Sequence, residues 1–246
     1  MVALYSLYNL VSPARFPAES PPVSRLRPIP ELDRLDHPIF TESIRRIRLA
    51  LETDGHLDAG HWSQLTVLQQ ELVLRLIHSS GDLSLAAQVC WSPGACEAGV
   101  LALAAGAPLL ADTAMAAAAV APMAQRTFQN SVYTVLHWAP DRAPTGGTRT
   151  AAGMARALAA LPSAVVLIGS APTALEMLLQ LVADRSVPAP ALVVGMPVGF
   201  VGVTESKRHL AQSNLAQIRL EGSRGGAAVA AAAVNALLRS AWLDRH

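Results

Sequence analysis

A three-layer α/β/α domain with a mainly parallel five-stranded sheet is the fold class this sequence predicts, on three observations. From residue 107 onward, short runs that are apolar throughout alternate with stretches of helical length. Strands apolar on both faces belong to parallel sheets covered by helices on each side. The runs close on Asp112, Gly169, Gly195 and Glu221, and Thr or Pro opens several of the stretches that follow, as at strand-to-helix turns. With 52% hydrophobic and 15% charged residues among 246, the chain has the apolar content for one sizeable core.

Residues 1–35 hold Pro13, Pro17, Pro21, Pro22, Pro28 and Pro30, which predicts an extended arm; residues 36–246 read as one domain. Residues 41–52 place Ile44, Ile47 and Leu51 at helical spacing. Residues 62–78 repeat the pattern with Leu65, Leu68, Leu72 and Leu76, and stop at Ser79-Ser80-Gly81. Ser92-Pro93 predicts a helix to about residue 105, with Ser at the N-cap and Pro in the first turn. Five strands follow, at 107–111, 131–138, 164–168, 191–194 and 217–220, with helices at 150–161, 172–184, 204–212 and 226–242. Residues 99–124 are apolar enough to suggest a membrane span. Asp112 at the centre and Gly106-Ala107-Pro108 divide that stretch into helix, strand and helix instead.

Nineteen basic against eighteen acidic residues leave a net charge of +1. That balance argues against an electrostatic nucleic-acid binder, which needs a dense basic face. Cys90 and Cys96 match no zinc spacing and read as reduced thiols of a cytoplasmic protein. No His-Glu-x-x-His, nucleophile elbow, phosphate loop or Rossmann fingerprint occurs. The expectation is a site without metal or cofactor.

Ligands of such sheets sit beyond the carboxyl ends of the strands, where Asp112, Gly169, Gly195 and Glu221 are expected to gather. Four small-residue loops face that edge: 146–150, 169–173, 195–202 and 222–226. Glycine allows close approach of backbone, and free amides at helix starts attract anions. Each loop alone is more readily a plain tight turn; together they fit an anionic ligand, a nucleotide being one alternative. Asp112 is a site residue or, by default, the N-cap of the next helix. His78 is a site residue or a helix-end histidine complementing the dipole. Arg149, at a helix start, opposes the macrodipole, which a bound anion or plain solvation would explain.

Several strings, taken together, resemble the precorrin-8X (cobalt-precorrin-8) methylmutase family of cobalamin biosynthesis. Arg75-Leu76-Ile77-His78-Ser79-Ser80-Gly81 resembles its Arg-Met-Ile/Val-His-x-x-Gly segment. Ser92-Pro93-Gly94-Ala95, the stretch from Ala102 to Leu109, and the pair Asp112 and Met115 follow its pattern. Thr148-Arg149-Thr150-Ala151-Ala152 is similar to Thr-Arg-Ser-Ala-Ala, and 169–175 to Gly-Asn-Ala-Pro-Thr-Ala-Leu. Residues 195–207, running Gly-Met-Pro-Val-Gly-Phe-Val-Gly-Val-Thr-Glu-Ser-Lys, are the longest and most specific match. The departures are Ser170 and Gly147 where the family has Asn, Ser84 where it has an acid, and 116–129, which lack its Gly-Ile and Arg-Leu-Pro pattern.

The resemblance implies a cofactor-free isomerase that moves a methyl group from C11 to C12 of precorrin-8X or its cobalt form, giving hydrogenobyrinate or cobyrinate. It implies that His78 is the proton donor and that Ser43 and Arg149 line the substrate pocket. Thr148, Asp112, Gly169, Ser170, Gly195, Pro197 and Gly199 fall in the matching motifs and are expected to bind substrate. It also implies a homodimer, for which the alanine-rich helices 150–161 and 226–242 offer flat faces. A non-catalytic corrin carrier is the alternative.

Overall fold

The computed structural model describes residues 35–53 and 59–245; the arm expected over 1–35 lies, apart from Leu35, outside them. Helices α1 (Pro38–Thr53), α2 (Ala59–Gln64) and α3 (Val67–Ser80) come first. A 3₁₀ turn, Leu83–Ala87, leads into β1 (Val89–Trp91) and α4 (Ala95–Ala104). Then follow β2 (Leu109–Ala111), α5 (Ala114–Arg126), β3 (Val132–Thr134), α6 (Arg149–Ala160), β4 (Val165–Ile168) and α7 (Pro172–Ala183). The chain ends with β5 (Leu192–Gly195), α8 (Val203–Gln212), β6 (Gln217–Leu220) and α9 (Ala227–Leu243).

The sheet has six strands in the order β1-β6-β5-β4-β2-β3, where the sequence predicts five. All pairs are parallel except β1 with β6, which registers Val89 opposite Leu220 and Trp91 opposite Ile218. The extra strand is the antiparallel edge strand β1. Three residues carry no readable periodicity, and its pairing partner lies more than a hundred residues along the chain.

Alternation within each strand divides the core. Leu109, Ala111, Val165, Leu167, Leu192, Val194, Ile218 and Leu220 pack with α3, α4, α5 and α9 on one face. Leu110, Val166, Ile168 and Val193 pack with α6, α7 and α8 on the other. Helices therefore cover both faces of the sheet, as predicted for strands apolar on both sides.

Three local expectations change. The helix expected over 62–78 is two helices, because Thr66 forms a capping box with Gln69 and restarts the helix as α3. Ser92 does not cap α4: its hydroxyl donates to Leu215 O (3.2 Å) and accepts from Gln217 N (3.0 Å), pinning the start of β6. Gly94, left-handed at φ 72°, caps α4 instead. The strand expected over 131–138 lasts three residues before the 3₁₀ turn Val135–His137.

Candidate active site

His78 stands in the last turn of α3, which ends because Gly81 adopts φ 70° and its amide closes on Ile77 O at 2.8 Å. The imidazole is exposed. Its Nδ1 lies 2.8 Å from Ser43 Oγ, carried by α1. Phe40, one turn earlier on α1, meets the ring edge to face at 5.0 Å and 87°. With Nδ1 engaged by the hydroxyl, Nε2 is the nitrogen left for a reactant. Partial burial, then the charge of Arg75, lower the pKa of His78 below its usual 6.5.

Ion pairs brace this corner from behind. Arg239 of α9 holds Asp36 through Nε (2.8 Å) and Nη2 (2.5 Å), and Glu71 of α3 through Nη1 (3.0 Å). Arg48 of α1 takes the other Glu71 oxygen at 3.0 Å. These bridges lock α1, α3 and α9 together, and so fix Ser43 against His78.

The strand ends gather the remaining residues as the topology requires. Asp112, fully buried just past β2, accepts the amides of Gly169 (3.1 Å), Ser170 (2.6 Å) and Ala171 (2.8 Å) on Oδ2. Burial leaves its carboxyl pKa raised, the three amides offsetting only part of that rise. The default reading of Asp112 as a helix cap is corrected: Thr113 caps α5, accepting from Ala116 N at 3.3 Å. The carboxylate is instead the internal anchor of the β4–α7 loop.

Other loop amides are similarly engaged. Gly199 N donates to Ser223 O (3.0 Å), Gly226 N to Met196 O (2.9 Å) and Val198 N to Gly169 O (3.3 Å). Pro197 between them is buried. Gly169 is dictated by packing: a Cβ there would stand 2.6 Å from Ala227 Cα, against backbone that cannot yield. The glycine loops thus knit to one another into one platform at the strand ends.

Lys207 is the member the sequence reading did not single out. It is 1% exposed, and its Nζ donates to Gly222 O (2.8 Å) and Arg224 O (2.5 Å), holding the β6–α9 loop. Burial brings its pKa down to about 8. Its position was legible in principle, since Val203, Ser206, Lys207 and Leu210 are the buried residues of α8 at helical spacing. Arg224 of the same loop pairs with Asp82 Oδ2 (2.7 Å) and contacts Ser84 Oγ. That pair ties the exit of α3, and hence the His78 corner, to the platform.

On the opposite layer, Thr148 caps α6 through Ala151 N (3.1 Å) and meets Thr173 Oγ1 at 2.8 Å, joining the starts of α6 and α7. Arg149 follows, exposed, with Nε donating to Pro140 O at 2.8 Å. His78 and Arg149 therefore belong to helices of opposite layers, both at the carboxyl edge of the sheet. The arrangement supplies one imidazole to move a proton and an exposed guanidinium to hold an anion. Among the described residues, no group of three or more His, Cys, Asp or Glu side chains is placed to hold a metal ion. No helix among them is long and apolar enough to cross a membrane.

Comparison with known proteins meets this geometry from the sequence side. A cobalt-precorrin-8 methylmutase from Synechocystis is 36% identical over 224 residues, covering 85% of this chain and 98% of its own. A precorrin-8X methylmutase from Pseudomonas aeruginosa is 42% identical over 173 residues, 68% of this chain and 82% of its own. The crystal structure of a precorrin-8X methylmutase from Thermus thermophilus superposes with a TM-score of 0.71 at 36% identity, covering 84% of this chain and 96% of that one. The sequence model of the family spans residues 38–240, from the first turn of α1 to the last of α9, with Ser43, His78, Asp112, Arg149 and Lys207 all inside it. By fold, by identity and by coverage, the chain belongs to the precorrin-8X methylmutase family.

Proposed function

We propose that this protein catalyses migration of a methyl group from C11 to C12 of precorrin-8X or cobalt-precorrin-8, with His78 as the acid. The observation that carries the assignment of roles is the His78–Ser43 contact at 2.8 Å at the edge where the ligands of such sheets bind. In the imidazolium, Nδ1–H donates to the Ser43 hydroxyl and Nε2–H faces the reactant. Protonating the conjugated macrocycle makes the methyl group's destination electron-poor. The methyl group moves with its bonding pair, and the proton returns to the imidazole, so substrate and product are isomers. Arg149 holds a peripheral carboxylate through a charge-assisted hydrogen bond. Thr148 places Arg149 through the cap of α6, while Asp112, Gly169, Ser170, Gly195, Pro197 and Gly199 shape the floor. This reading carries with it a cytoplasmic homodimer using no cofactor. No observation favours the carrier alternative.

Incubation with precorrin-8X, followed by the visible spectrum, tests the assignment: the substrate spectrum gives way to that of hydrogenobyrinate. Product binding without turnover, in a sample that an active relative converts, overturns it.

A further inference from the structure

The corner behind His78 holds a cation that its ion pairs leave over. Arg239 and Arg48 together use the carboxylates of Asp36 and Glu71. Arg75, half-buried on α3 one turn before His78, receives no carboxylate or carbonyl among the described residues. Its guanidinium lies instead over the Phe40 ring, 4.4 Å from the centroid. The same ring packs edge-on to the imidazole at 5.0 Å. A positive charge and a proton-transfer group are thus held against one phenyl ring, one turn apart on the same helix.

We propose that Arg75 is a positioning residue for the proton transfer: its unpaired guanidinium, seated on Phe40, sets the acid strength of His78. The inference rests on His78 being the acid of the proposed reaction. A nearby like charge makes the imidazolium a stronger acid at the cost of its population at neutral pH. Other charges around the corner are spoken for. Glu42 of α1 is bound to Arg45 and Arg46, Asp36 and Glu71 to Arg239 and Arg48, and Asp82 to Arg224. Arg126 of α5 donates to Leu35 O. Arg239 also reaches the Phe40 ring, at 5.6 Å, but its charge is bound by Asp36 and Glu71; Arg75 acts on the imidazole in the same direction as burial.

The test follows the full chain with labelled histidine by NMR across pH 5–8, the His78 resonance being assigned by its loss in His78→Gln. In Arg75→Met the His78 midpoint rises by roughly 0.3–1 pH unit, whereas Arg75→Lys, which keeps the charge, stays near the parent value. Arg75→Gln serves if the Met variant does not fold. In turnover, removing the charge moves the alkaline limb of kcat/KM upward by the same amount while the low-pH plateau falls. A folded charge-removing variant with an unchanged midpoint overturns the proposal. Should the parent protein show no turnover, the reaction assignment fails, and the NMR midpoint still decides the role of Arg75.

Discussion

At the scale of single residues the site divides between chemistry and binding. His78→Ala removes the general acid, and we expect turnover to fall about 10²–10⁴-fold with product affinity retained; titrating hydrogenobyrinate against both proteins separates the two effects. The pH profile follows from the sign of the shift. An acid works in its protonated form, and His78 is held below 6.5, so kcat/KM is flat at low pH and declines through a limb below 6.5 as pH rises. A limb above 7 contradicts the assignment. Arg149→Ala acts otherwise: a charge-assisted hydrogen bond to a carboxylate is worth about 1.5–3 kcal/mol. Product affinity drops accordingly, measured by titration, while kcat at saturating substrate changes less. Both residues stand out in the sequence because each ends or begins a helix next to small residues. Arg75 and Lys207 do not, because their roles depend on Phe40 and on the Gly222 and Arg224 carbonyls, contacts that only the folded chain brings about.

Among elements, the parallel strands and the helices between them were readable because each carries its own periodicity and caps. Residues 217–220 are predicted and observed with the same bounds. What escaped is what depends on distant partners. Ser92 looks like an N-cap until β6 arrives to take its hydroxyl, and the three residues of β1 become a strand only beside β6. The glycine loops were legible as an edge cluster, but not how their amides are used. Asp112 sits 57 residues before the first amide it accepts. Two substitutions test this division between conformational and packing glycines. Gly81→Ala puts a side chain at φ 70° with open space around it, so its cost is the left-handed strain of roughly 1–2 kcal/mol. Gly169→Ala drives a Cβ into the Ala227 backbone at 2.6 Å, where no side chain can yield. Denaturant unfolding is expected to rank Gly169→Ala as the more damaging, and to show the platform loosened with it. Equal losses would mean that the α9 start shifts freely and the loops are not one unit.

For the whole molecule, the fold turns inward both of the alanine-rich faces offered for a dimer. Helix α9 runs through the interior: Ala230, Ala233, Val234, Leu237 and Leu238 are fully covered by α3, α4, α5 and the sheet. Helix α6 likewise turns Ala151, Ala152, Met154 and Ala157 inward against α7 and the strands. Single apolar side chains such as Val67, Ile39 and Met115 are exposed on other elements, but one loop exposes three close together in sequence. Phe200 and Val201 are 95% and 88% exposed, with Val198 beside them, on the loop that leaves the carboxyl end of β5. Three neighbouring apolar side chains held out from a loop whose backbone is hydrogen-bonded to the β6–α9 turn form an unusual surface for a solitary chain. A two-fold partner seated there would cover them and enclose the same edge on which His78 and Arg149 stand. Light scattering at micromolar concentration is therefore expected to give about twice the 25.8 kDa of one chain. Phe200→Asp is expected to move that mass toward the single chain, because a carboxylate buried at a symmetric contact meets its own copy. The parent protein running at 25.8 kDa would overturn the dimer.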